Sequence, residues 1–221
     1  MPSLTVENYV KAIYQICADG ESALAATGQI AERLGVSPGT VTAMLKTLGE
    51  SGLATYTPYE GAQLTTAGGA LALRVLRRHR LIELFLVKTL NLTWDEVHEE
   101  AENMEHAVSD LLVDRIDAFL GRPETDPHGD PIPRADGTVN RLESHSLAEC
   151  REGDQFRLAR VIDQTPDFLR FLSEAGLPLG AQGHVISNHP EAGVLEVEID
   201  GRRTSLGRQA ADKIQVVTGE G

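Results

Sequence analysis

The chain has 221 residues, 41% hydrophobic and 24% charged, the balance of an ordinary globular protein with room for one large domain or two to three small ones. No run approaches the roughly 18 apolar residues of a membrane span, and the start MPSLTVENYVK lacks the basic-then-apolar pattern of a secretory leader. Cys17 and Cys150 form no metal-type pair, so two free thiols in a cytoplasmic chain are expected. The net charge of −13 argues against a uniformly basic nucleic-acid binder, but residues 1–80 hold seven Lys/Arg and six Asp/Glu, while the remainder hold 13 and 27.

Val6, Val10, Ile13, Tyr14, Ile16 and Cys17 recur at helical spacing, which predicts a first amphipathic helix from about Val6 to Ala18 with Thr5 as N-cap, then a loop at Asp19–Glu21. Thr27 is expected to cap a short helix that stops at Leu34–Gly35, where glycine permits a tight turn. Ser37 and Pro38 open a second helix that buries Val41, Leu45 and Leu48 and closes at Gly52. Two β-type runs, Leu53–Thr57 and Ala62–Thr65, flank the turn residues Pro58-Tyr59-Glu60-Gly61. Helix, turn, helix and hairpin is the winged helix-turn-helix pattern, whose second helix enters the major groove.

Helical spacing resumes from Thr66 to about Leu90, and a further helix is expected over Trp94–Leu120, capped by Thr93 and ended by Gly121-Arg122-Pro123. Residues 122–145 read as an ordered loop leading into a linker. From Ser146 short apolar β-type runs dominate, interrupted by one helical piece at Asp167–Ala175, which suggests a small β-barrel. The expected architecture is mainly α with β. Residues 1–66 form a winged helix-turn-helix domain, 67–145 a helical domain with linker, and 146–221 a small src-homology-3-like barrel.

His79 and Glu83 are four residues apart and share a helix face; His98, Glu102, Glu105 and His106 form a second stripe on the following helix. A stripe that faces a neighbouring helix is normally apolar, and six buried polar groups without partners would cost several kcal/mol each. A divalent cation removes that cost. Nitrogen and oxygen donors without thiolate favour Mn(II) or Fe(II) over structural Zn(II). From spacing alone a solvated acidic face, EVHEEAENMEH, remains an equal alternative. H-E-x-x-H is absent because Glu102 stands where the second histidine belongs, and the residue three before His106 is Asn103, so neither the zinc-protease nor the di-iron pattern is met. With no nucleophile or phosphate loop in evidence, no enzyme is expected.

ENYVKAIYQ, QIAERLGVSPGTVTAMLKTLGESGL, RRHRLIELFL, VHEEAENMEHAVSD and GDPIP together resemble the diphtheria toxin repressor family of iron- and manganese-dependent regulators, over nearly the whole chain. The resemblance implies helical metal-binding and dimerisation, a FeoA-like C-terminal barrel, and two metal sites per protomer. One site would use Asn8, Glu102, Glu105 and His106, with Glu7 as the alternative to Asn8. The other would use His79, Glu83 and His98 with Gln164 and Asp167, beside an anion held by Arg80. Iron-sensing members carry Met and Cys where this chain has Asn8 and Glu102, and Glu102 as a hard carboxylate favours Mn(II). Manganese-sensing members carry a carboxylate at Asn8 and Glu at Lys11, so the chain departs from both patterns.

The resemblance further implies a homodimeric repressor of metal-uptake genes that binds operator DNA when metal is bound. Ser37, Pro38, Thr40 and Thr42 are the expected DNA-contact residues, with Lys46 on phosphate. Leu84, Phe85, Trp94, Val97, Val108 and Leu112 flank the polar stripes and are read as dimer contacts, with ordinary packing inside the protomer an equal alternative for each. The alternative reading is a winged-helix regulator that answers a non-metal ligand.

Overall fold

The computed structural model describes residues 3–20, 22–140 and 142–218. Glu21 of the expected loop and Arg141 of the expected linker lie outside them. The chain divides into two units. The first holds the residues up to His79, with Glu105–Val108 and Pro133–Thr138; the second holds Arg80–Met104, Ser109–Ile132 and the chain from Val139 onward.

In the first unit α1 spans Leu4–Asp19. Ser3, not Thr5, is its N-cap: the Val6 amide donates to Ser3 Oγ, so Thr5 falls inside the first turn. Ala26, not Thr27, is the N-cap of α2 (Thr27–Leu34), its amide donating to Gln29 Oε1, and the helix ends on left-handed Gly35, φ 63°. Ser37 caps α3 (Pro38–Glu50) by accepting from the Thr40 amide, with Pro38 in the first turn where its missing N–H costs nothing. Strands β1 (Ala54–Thr57) and β2 (Gly61–Leu64) form the hairpin, and a bridge between Ala25 and Ala62 ties it to the chain before α2. Val10 and Ile13 of α1, Ile30 of α2, and Val41, Leu45 and Leu48 of α3 make the core. Helix α4 (Thr66–Leu90) starts against the hairpin. A Cβ on Gly68 would stand 2.0 Å from the Leu53 carbonyl oxygen, so only glycine fits there.

In the second unit the expected helix over Trp94–Leu120 is two helices, α5 (Val97–Met104) and α6 (Asp110–Phe119). The physical reason is a cap inside the periodic run: Ser109 Oγ accepts from the Leu112 amide and restarts the helix. Glu105 and His106 consequently sit in a turn, not on a continuous helical stripe. The remaining strands are β3 (His145–Ser146), β4 (Gln155–Val161), β5 (Gln182–His189), β6 (Val194–Ile199), β7 (Arg202–Gly207) and β8 (Ile214–Thr218). They form one antiparallel sheet in the order β3-β8-β4-β5-β6-β7. Register shifts at Leu158/Arg160 and Val185/Ser187 mark the irregularities that bend a small sheet toward closure. Phe156, Leu158, Leu195, Val197 and Val216 alternate inward to its core, which α7 (Pro166–Ala175) covers with Leu169 and Leu172; α8 (Arg208–Ala211) precedes β8.

Of the expected dimer contacts, Val97 and Leu84 are buried inside the protomer. Trp94 packs on the barrel core and its indole donates to Ser173 Oγ on α7. Leu112 is exposed, as are Leu111 and Phe119 on the same helix.

Candidate metal centres and DNA interface

Two groups of ligand-type side chains lie one in each unit. In the first unit, α1, the middle of α4 and the turn after α5 bring together Glu7, Lys11, His79, Glu105 and His106. Glu105 is fully buried. Its Oε2 lies 2.6 Å from His79 Nδ1, and Lys11 Nζ donates to both its oxygens at 3.0 and 2.8 Å. Burial works to raise the Glu105 carboxyl; the His79 hydrogen bond and the Lys11 charge outweigh it and hold the group below the usual carboxylate range.

His106 carries the most informative geometry of this group. Its Nδ1 lies 2.7 Å from Glu7 Oε2, an acceptor when ionised, which places the ring proton on Nδ1. Its Nε2 is then a bare lone pair in the neutral ring. It is buried, has no hydrogen-bond partner among the described residues, and stands 3.2 Å from Glu105 Oε1. Two electron-rich atoms at that distance repel unless a cation lies between or beside them or the ring takes up a second proton. Asn8 Oδ1, one residue from Glu7 on α1, is also buried without a partner. A carboxylate–imidazole pair with the outer nitrogen bare is the arrangement of a metal-ligating histidine and its orienting partner. The donor set fits a hard divalent cation.

In the second unit ligand atoms of Glu83, Asp126 and His128 lie within 4.8 Å of one another, all three residues buried. His128 Nε2 donates to the Trp94 carbonyl at 2.7 Å, so its Nδ1, without a hydrogen-bond partner and 3.8 Å from Glu83 Oε2, is again a bare lone pair aimed at a carboxylate. His98 Nδ1 lies 3.2 Å from the other Glu83 oxygen, and His98 Nε2 lies 3.8 Å from Glu102. Asp126 Oδ1 accepts from the His128 and Asp130 amides, which shapes the turn. Burial, then the Asp130 and Glu83 charges, push the Asp126 carboxyl well above its usual range. A divalent cation held there would offset that cost by pairing with the carboxylate form. Gly129 holds the loop in place: at φ 89°, a Cβ there would lie 2.1 Å from the Ala159 carbonyl oxygen.

Neither Asp126 nor His128 was among the ligands expected from sequence. The available signal was a histidine between two aspartates in Asp-Pro-His-Gly-Asp, masked because Pro and Gly read as turn chemistry. Gln164 donates to Asp130 Oδ2 at 3.1 Å, and Asp167, 95% exposed, pairs with Arg170. Arg80 meets protein groups where an anion was expected: Asp130 at 3.3 Å, Asp126 at 3.7 Å and the Pro131 carbonyl at 2.6 Å. Arg160 also pairs with Asp130.

The DNA-type surface lies on the first unit. Ser37, Pro38, Thr40 and Lys46 are exposed and Thr42 is half-buried. Ser37 Oγ already accepts from the Thr40 amide, and the Thr42 hydroxyl donates to the Pro38 carbonyl. These two are therefore better placed to orient the helix than to read bases as free hydroxyls. A groove of about 600 Å³ runs between α3, the start of α2 and the hairpin, lined by Thr27, Gly28, Thr42, Lys46, Tyr56 and Tyr59 among others. Tyr59, at the hairpin tip with φ 68°, is fully exposed.

Helix-turn-helix, wing, ligand clusters and barrel define the class of metal-dependent DNA-binding regulators. Family comparison agrees. Residues 1–62 match the iron dependent repressor N-terminal DNA binding domain, 65–134 the iron dependent repressor metal binding and dimerisation domain, and 145–218 the FeoA domain. A manganese-dependent transcriptional repressor solved in complex with manganese is 42% identical, with a TM-score of 0.88 over 96% of this chain and 99% of that one. The diphtheria toxin repressor of Corynebacterium efficiens is 30% identical over 96% of this chain and 94% of its own. The iron-dependent repressor IdeR of Mycobacterium leprae is 40% identical over 129 residues, 58% of this chain and about half (55%) of that relative's length. The chain belongs to the diphtheria toxin repressor family of metal-dependent regulators. Among the described residues no helix is long and apolar enough to cross a membrane.

Proposed function

We propose that the protein is a homodimeric, divalent-metal-activated repressor, acting inside the cell on the operators of metal-uptake genes. The observation that carries this reading is His106 Nε2, bare, buried and 3.2 Å from Glu105 Oε1, on a residue whose other nitrogen is bound to α1 through Glu7. Asn8, Glu105 and His106 would hold one ion, with Glu102 one helical turn before Glu105. Glu83, Asp126 and His128, with His98 beside Glu83, would hold another. That second set replaces Gln164 and Asp167 with residues of the Asp126–Asp130 loop. A bound cation would supply the positive charge these donor sets lack. Mn(II) suits these sets better than Fe(II), because they contain carboxylate, amide and imidazole and no thiolate.

The protein's own residues then do the switching. Glu7 and Lys11 grip His106 and Glu105, so α1 is fixed to the turn after α5, and α1 packs directly on the reading-head core through Val10 and Ile13. Setting the position of α1 sets the position of α3. Metal thus acts through a coupling free energy and makes no DNA contact. The groove between α3 and the hairpin, with Lys46 and Tyr56, suits the phosphate backbone, while Pro38 and Thr40 present small groups to base edges. Exposed Leu111, Leu112 and Phe119 on α6 give a dimer contact. His106→Ala should abolish Mn(II)-dependent operator binding in a fluorescence anisotropy titration while leaving the circular dichroism spectrum intact. Unchanged metal dependence in that variant would refute the reading.

A further inference from the structure

Lys11 is a buried lysine: its side chain is 7% exposed, and its ammonium lies on Glu105, whose side chain is fully buried. The Nζ atom is 3.0 and 2.8 Å from the two Glu105 oxygens and 3.2 Å from His79 Nδ1. Glu105 is therefore flanked by a fixed cation, with the bare His106 Nε2 near its Oε1.

We propose that the Lys11 ammonium is a built-in cation of the α1 site, standing on the Glu105–His79 side of it and limiting that site to one divalent ion. The inference rests on the metal-centre reading above. Its physical basis is charge. Glu7 and Glu105 are already faced by Arg78 and Lys11. One divalent ion brings an excess of about two positive charges to this buried cluster before Glu102 is counted, and a second would bring about four. A second ion on the Glu105–His79 side would also have to compete with Lys11 for the Glu105 oxygens.

The test is Mn(II) stoichiometry by equilibrium dialysis and metal analysis on the full chain, with Glu83→Gln and His128→Ala silencing the second group. With Lys11 intact, this background should bind one Mn(II) per protomer, and adding Lys11→Glu should bring it to two. Lys11→Met should keep one ion and tighten it at least about tenfold, since a like charge has been removed from its surroundings. Two ions bound with Lys11 intact, or no gain in Lys11→Glu, would overturn the proposal. Should Lys11→Glu fail to fold, anomalous scattering at the manganese edge from crystals with Lys11 intact decides the question. One peak beside Glu105 supports the proposal and two overturn it. Failure of the underlying reading looks different: the background binds no Mn(II), before Lys11 is altered.

Discussion

At the scale of single residues, the candidate sites are defined by which ring nitrogen carries the proton. Glu7 fixes the tautomer of His106 and the Trp94 carbonyl fixes that of His128, and in both cases the outward nitrogen is left bare near a carboxylate. Glu105 adds a pH dependence with a definite sign. Its folded-state carboxyl lies below the usual value, so its contribution to stability is present above the unfolded-state value, about 4.3, and is lost as pH falls through the folded-state value. Thermal melts in chelator should be flat near neutrality and fall in acid, and Glu105→Gln should flatten that acid limb; an unaltered limb would contradict the assignment. The thiols are spectators. Burial, reinforced by the Asp154 and Glu149 charges, pushes Cys150 up to about 11, and Cys17 is raised by burial. In the folded protein iodoacetamide should modify half-buried Cys17 well before Cys150, as mass spectrometry would show.

At the scale of elements, the winged helix was legible because its punctuation is local. Gly35 needs a left-handed conformation, Ser37-Pro38 is a cap followed by a first-turn proline, and Val41, Leu45 and Leu48 keep one helical stripe. The split between α5 and α6 was not legible, because an apolar period continued across Ser109 and a capping serine carries no mark in the sequence that distinguishes it from a surface one. Ser109→Ala should cost about 1 kcal/mol, read as a lower denaturant midpoint at unchanged slope. The Asp126–Asp130 loop was legible as a turn but not as a ligand source, because what turns His128 toward Glu83 is a backbone carbonyl from a distant segment. Gly129→Ala should displace this loop from β4, given the 2.1 Å approach to Ala159, and weaken Mn(II) binding at the Glu83 group while leaving the α1 group intact. Calorimetry of each group in isolation would check it.

At the scale of the whole molecule, charge asymmetry and switching belong together. The acids concentrate after residue 80, while the reading head is close to neutral, so the head would make few phosphate contacts per protomer. On the proposed reading a dimer would then be needed for affinity, and geometry would decide whether both heads engage. Residue spacing gave the six polar groups as one set, and the family resemblance divided it into Glu102, Glu105 and His106 beside α1 and His79, Glu83 and His98 at a second site; in the structure Glu105 and His106 lie with α1, and Glu83 and His98 lie with the loop that carries His128. The central claim is that the cation at the α1 site sets DNA affinity. It is tested most directly by anaerobic operator-binding titrations at buffered free Mn(II) and Fe(II), with and without chelator. The account predicts at least a hundredfold loss of operator affinity on chelation, about 2.7 kcal/mol of coupling, restored by Mn(II) at lower free concentration than Fe(II). An affinity that is the same in chelator and in saturating metal would contradict it.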